Sequence, residues 1–447
     1  MPIDSPPVAT LLRWFPDRKG MASGMAIMGF GSGALVALPV IRHLVEANFV
    51  APKYFGSADT VQTVIQEGRR FLAESPATEV VIASASDIAK LGLTQHVLEP
   101  GVYAVGTGST GVAATMMTIG GIYAATMILA SLGYKIPAEN WTPPVAATSE
   151  GNKSSSDGVK GKDSSNNRID PLIIPAGSYV TASDAIKSRQ FAQVWTSLFL
   201  NATAGIAVLG VAKTLMSDVF GSTMPTIVDA TFCAGYVGAL SLFNGVGRLA
   251  WAATSDAIGR QKTYSLFFAL GIPLYLSVPV TAHMVGVHEG VAPLAIFTAS
   301  TLSIITMYGG GFSVSPAYLA DLFGSREVGN IYGKLLTAWS VAGMVGPTLL
   351  AYLRRTSEVE AIRELATKVD PIKFQQQFGT SVDKISDLID ANTVNIAKLL
   401  HIAPAGTLDP SPYLYDSSMK TMAALLLVGL ANNYLMKPVD PKLIKKI

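Results

Sequence analysis

Eight apolar runs set the terms on which this chain can fold: Gly20–Ile41, Val102–Leu132, Phe191–Ala212, Ala230–Ala253, Thr263–His283, Val291–Ala320, Leu335–Leu353 and Thr421–Met436. Seven contain no Asp, Glu, Lys or Arg, and Ala230–Ala253 contains only Arg248. About 20 such residues in a helix cross the roughly 30 Å of hydrocarbon in a bilayer. Thr421–Met436 is short, but Ser417–Met419 extends it. Charged residues make up 14% of the chain, against about 25% in ordinary soluble domains. The pattern predicts an all-α polytopic membrane protein with about eight transmembrane helices.

Charge orients these spans. The connections Asp256–Lys262 and Asp321–Lys334, the stretch Arg13–Lys19 and the tail Lys437–Lys446 are rich in Lys and Arg, whereas His283–Gly290 and Ser217–Asp229 have neither. The positive-inside rule makes the first group cytoplasmic and predicts that both termini are cytoplasmic. Residues 1–134 then form one part, with spans 20–41 and 102–132 and an outer-face insertion at 52–99. That insertion reads as partly helical from "VQTVIQEGRRFLAE". Residues 135–190 form a cytoplasmic linker whose middle, "EGNKSSSDGVKGKDSSNNR", is too poor in apolar residues to fold. Its end, "VTASDAIKSRQFAQVW", carries Ser and Thr caps and an amphipathic pattern expected to lie along the membrane surface. The sequon at Asn140 is cytoplasmic on this topology. Residues 191–447 supply six spans with an outer-face insertion at 354–416.

A repeat is legible within the chain. "FPDRKGMASGMAIMGF" from Phe15 aligns, with one gap, on "FGSREVGNIYGKLLTAW" from Phe323. Phe15, Arg18, Gly20, Gly24 and Phe30 then fall on Phe323, Arg326, Gly329, Gly333 and Trp339. Internal symmetry of this sort is how many transporter folds are built.

The segments "WFPDRKGMASGMAIMGFGSGA", "FLNATAGIAVLG", "FNGVGRLAWAATSDAIGRQKTY" and "YGKLLTAWSVAGMVGP" resemble the oxalate/formate antiporter-like, monocarboxylate branch of the major facilitator superfamily. "SDAIGRQK" is similar to the superfamily's basic loop motif D-x-x-G-R-x-K, departing at Ala252, where a glycine is usual. The resemblance implies a major facilitator fold of two six-helix halves. Here the N-terminal half is incomplete, with 191–447 as the complete C-terminal half and "WFPDRKG" as the turn between the fourth and fifth family helices. Helices 1–3 and most of helix 4 are then expected to be missing or supplied by a second subunit.

Arg248 is the sharpest single residue. It lies eight positions before Asp256, about 12 Å into the bilayer, where an arginine is costly and faces a protein interior or aqueous cavity. Its fork of donors suits a carboxylate, and the resemblance implies the same contact with an anionic substrate. Asn244, one turn earlier on the same face, is a second candidate contact. Trp339 and its repeat mate Phe30 are expected to face each other as an aromatic wall of the site. Trp195 and Gln193 are weaker candidates. Oxalate-carrying relatives are expected to present a second cation at the Trp339 position; this chain has none, and Lys334 lies nearer the surface. One deep cation fits one carboxylate. Asp256, Gly259, Arg260 and Lys262 form a candidate conformational latch, with Asp256 set against the positive N-terminal end of the helix opened by Gly20.

Gly24, Gly29, Gly31, Gly33 and Gly309–Gly311 read as close-packing positions. A single cysteine, Cys233, excludes a disulfide framework or cysteine metal site. Five scattered histidines show no ligand spacing, and a formal charge of +2 gives no argument for nucleic acid. "GTGSTG" at 106–111 falls inside an apolar run and is no phosphate loop. The start MPIDSPP lacks a signal-peptide pattern. No catalytic constellation and no cofactor motif is present, so an enzyme is not expected. The expectation is a carrier of small organic anions such as formate, pyruvate or lactate, with oxalate as an outlier, working by alternating access in a plasma or organelle membrane. The alternative is a truncated, non-transporting or regulatory relative of such a carrier.

Overall fold

The computed structural model describes residues 7–66, 69–90, 96–138, 141, 171–175, 177–285, 290–391 and 393–446. The chain divides into two units, one of residues 1–32 with 136–447 and the other of residues 33–135. Helix α1 (Pro7–Trp14) and helix α2 (Lys19–Ala47) open the chain, α2 passing from the first unit into the second.

The second unit contains strands β1 (Tyr54–Gly56), β2 (Thr63–Gln66), β3 (Arg69–Leu72), β4 (Ser75–Ala83) and β5 (Gly101–Ala104), the short helix α3 (Ala85–Lys90) and the long helix α4 (Val112–Leu132). The strands form an antiparallel sheet in the order β1-β5-β4-β3-β2, with Val80 opposite Ala104 and Ile82 opposite Val102. This corrects the helical reading of "VQTVIQEGRRFLAE"; within 52–99 the described helix is Ala85–Lys90. Thr63, Val64 and Ile65 are β-branched and pair across to Leu72, Phe71 and Arg70, and branched side chains lose less freedom in a pleated sheet than in a helix. The expected span 102–132 is also shortened. Val102–Ala104 lie in a strand, and "GTGSTG" is a turn rather than part of a span, with positive φ at Gly106, Gly108 and Gly111. Hydropathy alone does not register that three left-handed glycines break a helix before Val112.

The first unit continues with α5 (Ala182–Lys187), α6 (Arg189–Phe220), α7 (Ala230–Ile258), α8 (Arg260–Val285), α9 (Ala292–Phe323), α10 (Val328–Leu335), α11 (Thr337–Lys368), α12 (Pro371–Phe378), α13 (Ile385–Asp390), α14 (Ile396–Ile402) and α15 (Asp416–Tyr434). Side-chain caps start several of them. Ser188 Oγ accepts from Phe191 N–H at 3.1 Å, and Asp229 accepts from Phe232 N–H at 2.7 Å, satisfying donors that a helix start leaves open. Among the described residues, six stretches are long and apolar enough to cross a membrane: α2, α4, α6, Arg260–Met284 of α8, α9 and Val328–Lys368, which holds α10 and α11. The stretches 230–253 and 421–436, also expected as spans, are helical as α7 and α15 but are not among these six. Helix α11 runs on to Lys368, well into the stretch read as an insertion from residue 354.

Helix α9 packs against α6, α7 and α8, and α15 packs against α6 and α8. Their interface is filled by fully buried rings, among them Phe220, Tyr264, Phe267, Phe268, Phe297 and Phe323. The segment expected to lie on the membrane surface is instead tied in. Ser178–Tyr179 (β6) pairs with Lys445–Lys446 (β7), Val180 N–H donates to Phe323 C=O at 2.9 Å, and Val180 and Ala185 are fully buried. A new cap at Ser188 stops the six-residue α5 before it can extend into a surface helix. Asn140 and the tract 150–168 lie outside the described residues.

Phe268 is fully buried and its ring lies against Gly429 of α15. Phe268→Ala is expected to cost about 3–5 kcal/mol, read as a fall in the denaturation midpoint of the detergent-solubilised chain. Leu427→Ala, at an exposed position of α15, is expected to stay within about 0.5 kcal/mol.

Candidate functional site

Arg248 sits on α7, near the middle of the helix, and is 1% exposed. Three elements close around it. From its own helix, Asn244 Oδ1 accepts from Arg248 Nε–H at 3.2 Å; an (i, i+4) pair shares one helix face. From α2, Ile27 C=O accepts from Nη1–H at 3.2 Å, and the Phe30 ring lies 5.2 Å from the guanidinium carbon. From α9, the Phe312 ring lies 5.0 Å from it. Among the described residues no carboxylate lies within salt-bridge distance of Arg248, whereas Arg260 and Arg354 both have acidic partners. An arginine stays protonated in proteins, so this positive charge is held by one carbonyl, one amide oxygen and two π faces.

The aromatic wall is broader than the sequence indicates. Phe30 and Trp339 meet edge-on at 6.2 Å, and Phe312 contacts both, at 6.4 Å and 5.9 Å. Trp339 Nε1–H donates to the Tyr308 hydroxyl at 3.2 Å, and Tyr332 stands edge-on to Phe312 at 6.5 Å. Sequence reasoning missed Tyr308, Phe312 and Tyr332. The available signal was "MYGGGF", where Tyr308 and Phe312 fall four apart on one face of a helix thinned by three glycines. The structure thus brings Arg248, Asn244, Phe30 and Trp339 together. Trp195 and Gln193 are engaged elsewhere, Trp195 donating to Thr337 Oγ1 at 2.9 Å and Gln193 to Asn432 C=O at 3.2 Å. Lys334 is exposed.

A second cluster lies at the end of α7, two turns beyond Arg248. The two carboxylate oxygens of Asp256 accept from Gly20 N–H and Met21 N–H, each at 2.8 Å. These are open donors in the first turn of α2, where the helix dipole is positive. Arg260 donates to Asp256 at 2.5 Å, to Asp321 at 3.2 Å and to the Ser255 hydroxyl. Lys19 reaches the other oxygen of Asp321 at 3.0 Å. Gly259, with φ of +91°, turns the chain between α7 and α8 so that Arg260 folds back on Asp256. Lys262 is exposed and stands outside the cluster. Within the repeat, Gly20 and Gly329 are each the second residue of their helices, α2 and α10.

Long apolar helices around a buried cation, with a charged seam at one end, define an all-helical multi-pass membrane protein carrying a sheet-bearing insertion. Two curated proteins align with it at length. Apicoplast pyruvate carrier 1 of Toxoplasma gondii is 27% identical over 414 residues, covering 93% of this chain and 63% of the carrier. The oxalate:formate antiporter of Oxalobacter formigenes is 20% identical over 337 residues, covering 75% of this chain and 56% of the antiporter. No protein-family model matches the chain. The chain is homologous to these two proteins, in agreement with the resemblance its motifs carry to the oxalate/formate antiporter-like branch of the major facilitator superfamily. Both are named as transporters rather than enzymes.

Asp256→Asn removes the anion that accepts two backbone donors and one guanidinium contact. It is expected to destabilise the chain by about 1–3 kcal/mol, measured as a lower unfolding midpoint in detergent. Lys262→Gln, at an exposed position, is expected to change the midpoint by less than about 0.5 kcal/mol.

Proposed function

We propose that the chain is a secondary carrier of small carboxylates, that it favours a monocarboxylate such as pyruvate, lactate or formate over oxalate, and that Arg248 is its anion anchor. The observation that carries this reading is a guanidinium 1% exposed with no acidic partner among the described residues. Nε–H and one Nη1–H are occupied by Asn244 and Ile27. Of the five guanidinium N–H groups, the Nη2 edge and one Nη1–H remain for a carboxylate in the paired geometry that arginine favours.

The surroundings bear on which carboxylate. Phe30, Phe312 and Trp339 offer ring faces and edges to the rest of the molecule. A second carboxylate placed among them would lose its hydration with no cation in return, so a single carboxylate on a small carbon skeleton is the better match. The names of the relatives, a pyruvate carrier and an oxalate:formate antiporter, support the class. Asn244 holds Arg248, and Trp339 and Phe30 wall the site.

Transport on this reading proceeds by alternating access, with Asp256, Gly259 and Arg260 as a latch that parts from the first turn of α2 and re-forms as the site opens and closes. Lys262 contributes positive charge near the headgroups. The basic connections favour cytoplasmic termini, and the organelle in one relative's name favours an organelle membrane over the cell surface.

Uptake of labelled pyruvate, lactate, formate and oxalate into proteoliposomes containing the purified chain tests the reading. Saturable pyruvate uptake is expected, with oxalate at least tenfold poorer. Arg248→Ala is expected to lower kcat/KM by at least about 30-fold, the equivalent of losing a desolvated charge contact. Unchanged uptake in Arg248→Ala, or oxalate as the best substrate, overturns it.

A further inference from the structure

We infer that Gly31 of α2 and Gly309 of α9 are positioning residues whose missing side chains form the slot that holds the Arg248 guanidinium. The inference rests on the reading of Arg248 as the anion anchor and adds what sets its orientation.

The glycines in these two helices are not equivalent. A Cβ at Gly31 would stand 2.6 Å from Arg248 Nε and 2.9 Å from its Cδ, with Gly245 Cα at 3.2 Å behind them. A Cβ at Gly309 would overlap the Asn244 backbone oxygen, stand 2.6 Å from Asn244 Oδ1 and lie 3.1 Å from Arg248 Cγ. Gly29 and Gly33 face open space, Gly310 faces Trp251 and Phe267, and Gly311 faces Asn201. Gly31 and Gly309 therefore press on the arginine side chain from two helices, and their neighbours in the same runs do not.

Gly31 has a second consequence. In an α-helix the carbonyl of residue i points at residue i+4, so the Ile27 oxygen is directed towards position 31. A side chain there would cover that oxygen. Without one, Arg248 reaches past the helix surface and donates Nη1–H to Ile27 at 3.2 Å. Gly309 does the same for the other contact by leaving room for Asn244, whose Oδ1 accepts from Nε–H at 3.2 Å. These two hydrogen bonds fix the plane of the guanidinium and determine which of its N–H groups are left for a carboxylate. Bulk at either glycine rotates the fork away from the substrate while leaving its charge in place.

A mutant cycle separates this role from helix packing. Gly31→Ala is expected to lower the unfolding midpoint of the substrate-free chain by several degrees when Arg248 is present. In the Arg248→Ala background, where the slot is empty, the same substitution is expected to shift it by less than about one degree. In pyruvate uptake, Gly31→Ala is expected to raise KM at least tenfold, with kcat changed less. Gly29→Ala is expected to leave both unchanged. Gly309→Ala, read by the same rise in KM, gives a second test if Gly31→Ala does not reach the membrane. Equal midpoint losses with and without Arg248, or an unchanged KM, overturn the inference. If Arg248→Ala itself leaves uptake intact, the anchor reading fails, while the substrate-free cycle still decides whether the glycines hold the side chain.

Discussion

Burying a guanidinium with no carboxylate partner among the described residues is the constraint around which the first unit is arranged. Removing an unpaired charge from water costs several kcal/mol. Here the cost is offset by an amide oxygen, a backbone carbonyl and two ring faces around Arg248, each weaker than a salt bridge. Such an arrangement favours a visiting anion more than a protein carboxylate in the same place would, since an internal counter-ion would compete with it. The surrounding helices serve this arrangement. Helix α7 carries the arginine, α2 supplies Ile27 and Phe30, and α9 supplies Phe312 and the space at Gly309.

The contact between α7 and the first part of α2 has two fixed points. At the helix end, Asp256 accepts from Gly20 and Met21; deeper, Arg248 donates to Ile27. Between them Gly24 lets the backbones close, for a Cβ there would stand 2.6 Å from Ala252 Cβ and 2.9 Å from the Arg248 carbonyl oxygen. One seam therefore carries both the charged cluster and the proposed anion anchor. Any motion that parts α2 from α7 must disturb both, which gives a physical route by which occupancy of the proposed site can bias the proposed latch. Asp321 ties the same end further, because it pairs with Lys19 and Arg260 through its side chain and accepts from Ile174 N–H, beyond the linker tract, through its carbonyl at 3.0 Å.

The parts of this arrangement that depend on hydropathy and charge are readable in the sequence. Long apolar runs mark the helices because the bilayer imposes their length, and a lone arginine in such a run marks itself. What sequence does not convey is contact across elements. Phe312, Tyr308 and Tyr332 look like ordinary membrane aromatics until α9 places Tyr308 and Phe312 beside Trp339 and α10 sets Tyr332 against Phe312. Gly31 and Gly33 look alike, yet one faces Arg248 and the other faces open space. The sheet within 33–135 escaped for a different reason. The segments at 63–72 have a spacing that fits a helix, yet 63–66 and 69–72 pair with each other as antiparallel strands. "GTGSTG" was absorbed into a span because hydropathy weighs side chains and is blind to φ.

On the proposed function, a single buried charge recognises a single carboxylate. Equilibrium binding of pyruvate and of its uncharged methyl ester to the purified chain tests it most directly, since the two differ little in shape near the ketone but only one is an anion. The account predicts saturable 1:1 binding of pyruvate and no competition from the ester at equal concentration. An ester that binds as tightly as pyruvate would contradict it.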